Sequence, residues 1–248
     1  MSGLVRLGLL LALASAAVVA QDVVRVDVDD GNPPFMYASG GKAAGLYPAL
    51  LRAVFEAMHM PLALDAKPWR RALSELDTGA AGVGGIYKTE VRALKYDYSE
   101  PLFVEQIVVC DNSRKPVGFK ALPDLYGKRI GLLNGWSYGD TFDQVRKAGR
   151  LIGEEVRTDA LNFAKLQLGR LDAVLIIKEA AAVLLKDGSY PEVQCAAEPL
   201  VQNPTYLAFH KSAHRQELLQ AFDKALRTLK GDDMRYEQIV TASFAGKP

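Results

Sequence analysis

Twice along this chain a strand-like apolar run gives way to a polar loop and then to a segment of helical spacing, and the second series begins afresh after Cys110. That alternation constrains the fold more than any other feature, because strands alternating with helices build parallel sheets covered on both faces. In the first series Val23 to Val28 alternates as a strand, Asp29 to Pro34 reads as a loop, and Leu46 to Met58 has apolar residues on one helical face. Pro61 to Ala66 supplies the next strand, Trp69 to Leu76 a short helix, Ala80 to Ile86 a small-residue strand, and Val104 to Val109 an apolar one. The second series runs through a strand at Arg129 to Leu133, a loop at Asn134 to Gly139 and a helix at Thr141 to Lys147. A strand near Glu155 to Thr158, a helix at Ala160 to Leu168, a buried strand at Ala173 to Ile177 and a helix at Glu179 to Lys186 follow. The chain then runs extended through Tyr206 to Phe209 and ends in helices from about Gln216 and Met234. Ligands of open α/β sheets gather beyond the carboxyl ends of the strands. Here those are the loops at Asp29 to Asn32, Gly84 to Thr89 and Asn134 to Tyr138.

The first 20 residues carry Arg6, an apolar core from Leu7 to about Ala17 and small residues up to Ala20, the pattern of a cleavable export signal. The apolar run is shorter than the roughly 18 residues of a membrane span. A soluble periplasmic protein is therefore expected. Cleavage after Ala20 removes Arg6 alone and leaves basic and acidic residues equal in number. Such a balance, with no basic face, argues against nucleic-acid binding.

Cys110 and Cys195 admit two readings, a disulfide or two buried thiols. A bridge would close a loop of about 86 residues and stabilise by about 4 to 5 kcal/mol in the chain-entropy model. His59, His210 and His214 lack the acidic or third ligand of a metal site, so neither metal nor cofactor is called for.

Five short motifs in order carry a more specific signal: Asn32-Pro33-Pro34-Phe35, Gly45-Leu46, Lys88-Thr89-Glu90-Val91-Arg92 with Tyr98-Ser99-Glu100-Pro101, Gly127 to Gly131, and Gly169 to Ala173. Together they resemble bacterial extracellular solute-binding proteins of family 3, the periplasmic receptors that feed polar amino acids to ABC importers. The resemblance implies an α/β fold of the periplasmic-binding-protein type, two lobes joined by a two-strand hinge with the ligand cleft between them. It places lobe one at residues 22–105 plus 204–248, lobe two at 106–203, and the hinge near Val104 to Ile107 and Gln202 to Tyr206.

The same resemblance assigns roles. Arg92 falls where the family holds a ligand carboxylate, and a planar guanidinium matches two carboxylate oxygens with parallel donors. On residue type alone it would instead be an exposed helix-start arginine paired with Glu90 or Asp97. Trp69 falls where the family stacks an aromatic ring on its ligand, and the alternative for it is a core position. Tyr87 and Gly85 stand where small residues support the carboxylate. Asn134, Trp136, Ser137 and Tyr138 fill the loop that completes the anion site, with Ser137 the best match. Asn32 replaces an aromatic, and Asp29 or Asp30 offers a carboxylate from the first lobe. The family's ammonium-binding aspartate is absent, since Ile177 stands in its place and Glu179 lies two residues on.

The implied function is a noncatalytic, monomeric receptor that closes on a small carboxylate-bearing solute and meets a membrane permease transiently. Two alternatives share the fold. One is an enzyme resembling cyclohexadienyl dehydratases, which needs a cleft acid with a pKa raised by burial; the other is a ligand-sensing input to a membrane receptor.

Overall fold

A computed structural model describes residues 23–231 and 233–245. The proposed export signal at 1–20 lies outside the described residues. The first strand, β1 (Val24–Asp29), buries nearly every side chain because it runs between two parallel neighbours, β5 (Leu62–Lys67) and β6 (Gly82–Tyr87). Glycine at 82 and 84 lets those layers approach: a Cβ at Gly82 would stand 2.4 Å from the Phe209 ring and one at Gly84 2.6 Å from Leu51. The segment read as a plain loop after Asp29 instead forms a three-stranded antiparallel sheet, β2 (Gly31–Asn32), β3 (Met36–Ser39) and β4 (Lys42–Ala44). Its strands are too short to show a two-residue period in the sequence.

Helix α1 (Leu46–Ala57) follows and buries Leu46, Tyr47, Leu50, Leu51 and Val54 on one face. Helix α2 (Trp69–Asp77) starts after Pro68, a residue suited to a helix start because it lacks the N–H that would be unpaired there. After β6, Thr89 caps the short helix α3 (Glu90–Ala93) by accepting from the Arg92 N–H at 3.2 Å. Strand β7 (Tyr96–Tyr98) leads into the long strand β8 (Phe103–Asn112).

The second series gives β9 (Arg129–Leu133), α4 (Asp140–Lys147), β10 (Ile152–Val156), α5 (Asp159–Gln167), β11 (Ala173–Ile177), α6 (Lys178–Leu185) and β12 (Val193–Cys195). Strand β10 begins three residues earlier than its apolar pattern suggests, because it is an edge strand with half-exposed side chains. The chain returns along β13 (Val201–His210) to helices α7 (Gln216–Gly231) and α8 (Asp233–Ala245), which pack on α1.

The large sheet runs β10-β9-β11-β8-β13-β6-β1-β5. Its centre is a crossing of two long antiparallel strands, with Phe103 to Ile107 of β8 opposite Val201 to Thr205 of β13. The other half of β8 pairs with β11 and β12, whereas the other half of β13 pairs with β6 and β7. Each long strand therefore belongs to both ends of the sheet, and the molecule is two α/β lobes connected by these strands. Cys110 of β8 and Cys195 of β12 face each other in register, with Cα atoms 3.9 Å apart, and are joined as a disulfide. It ties the second lobe's outer strand to the crossing strand.

Candidate functional site

Strand β6 ends, β7 runs and α3 begins at one corner of the first lobe, so Arg92 points into the space between the lobes. Its half-buried guanidinium donates to the Tyr87 carbonyl at 3.2 Å. Burial pulls its pKa down, offset in part by Tyr98, Tyr96, Asp143 and Tyr87. Neither Glu90 nor Asp97 is among those groups, and Asp97 is taken up by the Gln216 side chain at 2.6 Å. The arginine is thus a desolvated positive charge held by a carbonyl, with the Asp143 carboxylate of the second lobe acting on it across the cleft.

Trp69, Gly85, Tyr87 and Arg92 from the first lobe, with Trp136 and Ser137 from the second, line one small cavity of about 10 Å³. Trp69 sits at the start of α2 with its ring 5.9 Å from Trp136 across the cleft, and its indole N–H has no partner among the described residues. The Tyr98 hydroxyl is buried and unpartnered as well. Gly85 has φ 78°, and a Cβ there would lie 2.5 Å from the Tyr47 ring. A glycine is required at this point for packing as well as for conformation.

The second-lobe loop is fixed by Asp143 in α4. Its carboxylate accepts from the Ser137 hydroxyl and from the Tyr138 N–H at 3.1 Å. Ser137 therefore reaches the cavity with its own proton already donated. Tyr138 does not join the cavity: its ring packs on Phe142 and its hydroxyl accepts from the Leu133 N–H at 2.8 Å, inside the second lobe. An aromatic side chain between Ser137 and a glycine turn is buried here because α4 must pack on β9.

Beyond the two tryptophans lies a second hollow of about 150 Å³, bordered by Asp29, Asp30, Asn134 and Arg157. Trp136 Nε1 donates to Asp29 at 3.0 Å, and Arg157 pairs with Asp30 at 2.9 Å, so both contacts join the lobes. Asn32 is fully buried, and both polar atoms of its side chain lack partners among the described residues.

The residues that sequence reasoning overlooked are acids and their partners. Glu105 is buried in β8 at the crossing, where Tyr47 and Tyr87 both donate their hydroxyls to it. Burial raises its pKa to about 8, the tyrosines opposing and Glu179 and Asp159 reinforcing the shift. Asp159, at the start of α5, is raised to about 7 by burial and then by Asp29. Asp29 is itself raised to about 6, chiefly by burial. Ile177 closes β11 as a buried residue, and Glu179 follows in the first turn of α6 with Oε2 buried and unpartnered. The readable signal for Glu105 was its phase: it shares a strand face with Phe103 and Ile107, a position that an apolar residue would normally occupy.

Among the described residues no group of three or more His, Cys, Asp or Glu is placed to hold a metal, and no helix is long and apolar enough to cross a membrane. Two lobes on crossed strands, with aromatic and charged side chains converging from both, define the architecture of a solute-binding protein. The model of the bacterial extracellular solute-binding proteins, family 3, matches residues 24–244, and the chain belongs to that family. It is 24% identical over 213 residues to the L-cystine-binding protein TcyJ of Escherichia coli (strain K12), covering 84% of this chain and 77% of that one. Among solved structures, the arginine-, lysine-, histidine-binding protein ArtJ of Geobacillus stearothermophilus is 25% identical with a TM-score of 0.75, covering 92% and 97% of the two chains. A histidine kinase sensor domain with similarity to periplasmic binding proteins gives a TM-score of 0.77 at 22% identity, covering 90% and 96%.

Proposed function

We propose that this protein is the periplasmic substrate-binding receptor of an ABC importer, and that it closes on a small solute carrying a carboxylate. The observation that carries the reading is Arg92, a desolvated guanidinium that donates to the Tyr87 carbonyl and is directed into a cavity that both lobes line. Residues 22–105 and 204–248 form the lobe that holds Arg92, Trp69, Tyr87, Gly85, Asn32 and Asp30. Residues 106–203 bring Asn134, Trp136 and Ser137 to meet them, and the paired stretches of β8 and β13 act as the hinge. Hinge closure around a ligand is a familiar mode of switching. The closed form is what a membrane permease would read, through a transient contact.

The test is a thermal-shift screen of the purified protein against amino acids, polyamines, dicarboxylates and aromatic acids. At 100 times its dissociation constant a bound solute adds about 2.7 kcal/mol to stability, a shift that such a screen detects. Stabilisation by a carboxylate in the wild type and its loss in Arg92→Ala support the reading. Hits confined to compounds without a carboxylate, or an unchanged response in the variant, refute it.

A further inference from the structure

The acids of the cleft come from three separate parts of the fold. Asp29 ends β1 in the first lobe, Glu105 sits on the crossing strand, and Asp159 and Glu179 begin α5 and α6 in the second lobe. The chain's return over Gly31 brings the lobes together here, because a Cβ on Gly31 would lie 3.4 Å from the Arg157 carbonyl and 3.7 Å from Thr158. Asp159 is left 8% exposed with Oδ1 buried and unpartnered, and Glu179 Oε2 is buried and unpartnered too. The influences that dominate Glu105, Asp159 and Asp29 include no basic side chain.

The groups facing each acid are accounted for element by element. Around Glu105 stand Tyr47 of α1, Tyr87 of β6, Asp159 and Glu179, with Asn203 and Thr205 of β13 close to the tyrosines. Asp159 faces Asp29, and Tyr138 lies close to it. Asp29 meets Trp136, the Gly31 N–H and Asp30, and Glu179 has only its own N–H and neighbouring Lys178 to favour its charge. Ionised carboxylates gathered this way would each suffer an uncompensated loss of hydration, and the ordinary escape is protonation.

We propose that closure is coupled to proton uptake: when the lobes meet, acids of this cluster take protons from solvent and become neutral, so the receptor favours its closed form in mild acid and opens as pH rises. The proposal rests on the reading of a hinged receptor. Asp159, with Oδ1 buried and unpartnered, stands in the second lobe near Asp29 of the first, and a proton on either removes the repulsion between them. Glu105, raised to about 8, is enclosed by Tyr47 and Tyr87 of its own lobe, whereas Asp29, raised to about 6, and Asp159, raised to about 7, meet across the cleft. Once separated and hydrated they return toward the ordinary carboxylate range near 4. Closed-state pKa values above the open-state values mean that the proton-linked stabilisation of closure is full below the open-state values and is lost as pH rises through about 6 to 7.

The chain's two tryptophans, Trp69 and Trp136, both stand at the lobe contact and give a readout that needs no ligand. Intrinsic emission and the radius of gyration from small-angle scattering would be followed between about pH 5 and 9 on wild type, Asp159→Asn and Glu179→Gln, with far-UV circular dichroism confirming each fold. The expected result is a red shift with an increase in radius as pH rises. Both variants should hold the acid-form signal at least about one pH unit further, since each removes a mutually repelling charge. A wild-type signal that stays flat over this range, or variants that track the wild-type curve, overturns the proposal. Because no solute is added, failure of the carboxylate screen leaves this outcome independent.

Discussion

Replacing Arg92 by alanine should separate binding from stability. In the protein alone the guanidinium has a carbonyl at 3.2 Å and tyrosine rings for neighbours, and its burial lowers its pKa, so the folded state gains little from its charge. Truncation gives up one hydrogen bond from a charged donor, worth about 1.5 to 3 kcal/mol, while relieving a desolvation cost of similar size. The net change is expected within about 1 kcal/mol, or about 2 to 4 °C in Tm for a chain of this length. Binding is different, because a carboxylate held in the cavity would lose its only cationic partner there. Stranding one member of a desolvated pair costs about 3 to 5 kcal/mol, so Kd should rise by about two to three and a half powers of ten. Arg92→Lys keeps the charge without the planar fork and should fall between the two. Titration calorimetry with the carboxylate found in the screen, beside melting curves without it, measures both quantities. If Arg92→Ala binds like wild type, or melts far lower, Arg92 is a structural residue and the anion-site argument is wrong.

The other expectations concern the scaffold of the site. Wild-type stability to urea should fall between about pH 4.5 and 8, because Glu105 is raised to about 8 in the folded protein and binds a proton that the unfolded chain has lost; one such group gives a slope of about 1.4 kcal/mol per pH unit. Glu105→Gln should flatten that slope, and equal slopes would contradict the burial argument. The lowered carboxylates Glu75, Asp77, Glu155 and Asp172 act below this window, whereas Asp29 and Asp159, raised to about 6 and about 7, add to the fall at its lower end, so the comparison is read between about pH 7 and 8. Gly85→Ala forces a Cβ to 2.5 Å from Tyr47 at φ 78° and should destabilise by about 2 kcal/mol, seen as a lower urea midpoint. Cys110 and Cys195 should yield no reactive thiol under denaturing conditions without reductant, and reduction should cost about 4 to 5 kcal/mol of stability for a bridge spanning 85 residues.

What the sequence made legible was whatever repeats at a fixed period or sits in a short local pattern. Helix α1 and strand β11 fall almost where their periodicities place them, since each buries one face or both faces of a regular element. Trp69, Gly85, Tyr87, Arg92, Trp136 and Ser137 come together in one cavity although 68 positions separate the first from the last, and here the motif order supplied what local spacing could not. Tyr138 shows the limit of a loop-level reading. Its neighbour Ser137 faces the cleft, yet the glycine turn and the Asp143 carboxylate rotate Tyr138 into the second lobe. Glu105 shows another: an acid in an apolar strand is visible, but its partners Tyr47 and Tyr87 lie 58 and 18 residues away and meet it only through tertiary packing.

Tyr87 explains how a buried cation and a buried acid can share one cleft without cancelling. Its carbonyl takes the Arg92 guanidinium at 3.2 Å, and its hydroxyl takes Glu105. One residue thus meets both groups with neutral partners, its backbone carbonyl on Arg92 and its side-chain hydroxyl on Glu105. Had Arg92 reached Glu105, its donors would be spent within the protein, and the cavity would hold no surplus positive charge to offer an anion. A smaller residue at position 87 would leave Glu105 with one hydroxyl fewer and remove the aromatic wall facing Trp136, whose ring centroid lies 6.3 Å away. The bulk at position 87 therefore supplies Glu105 with a hydroxyl partner and the cavity with an aromatic wall, while the backbone carbonyl at the same position holds Arg92.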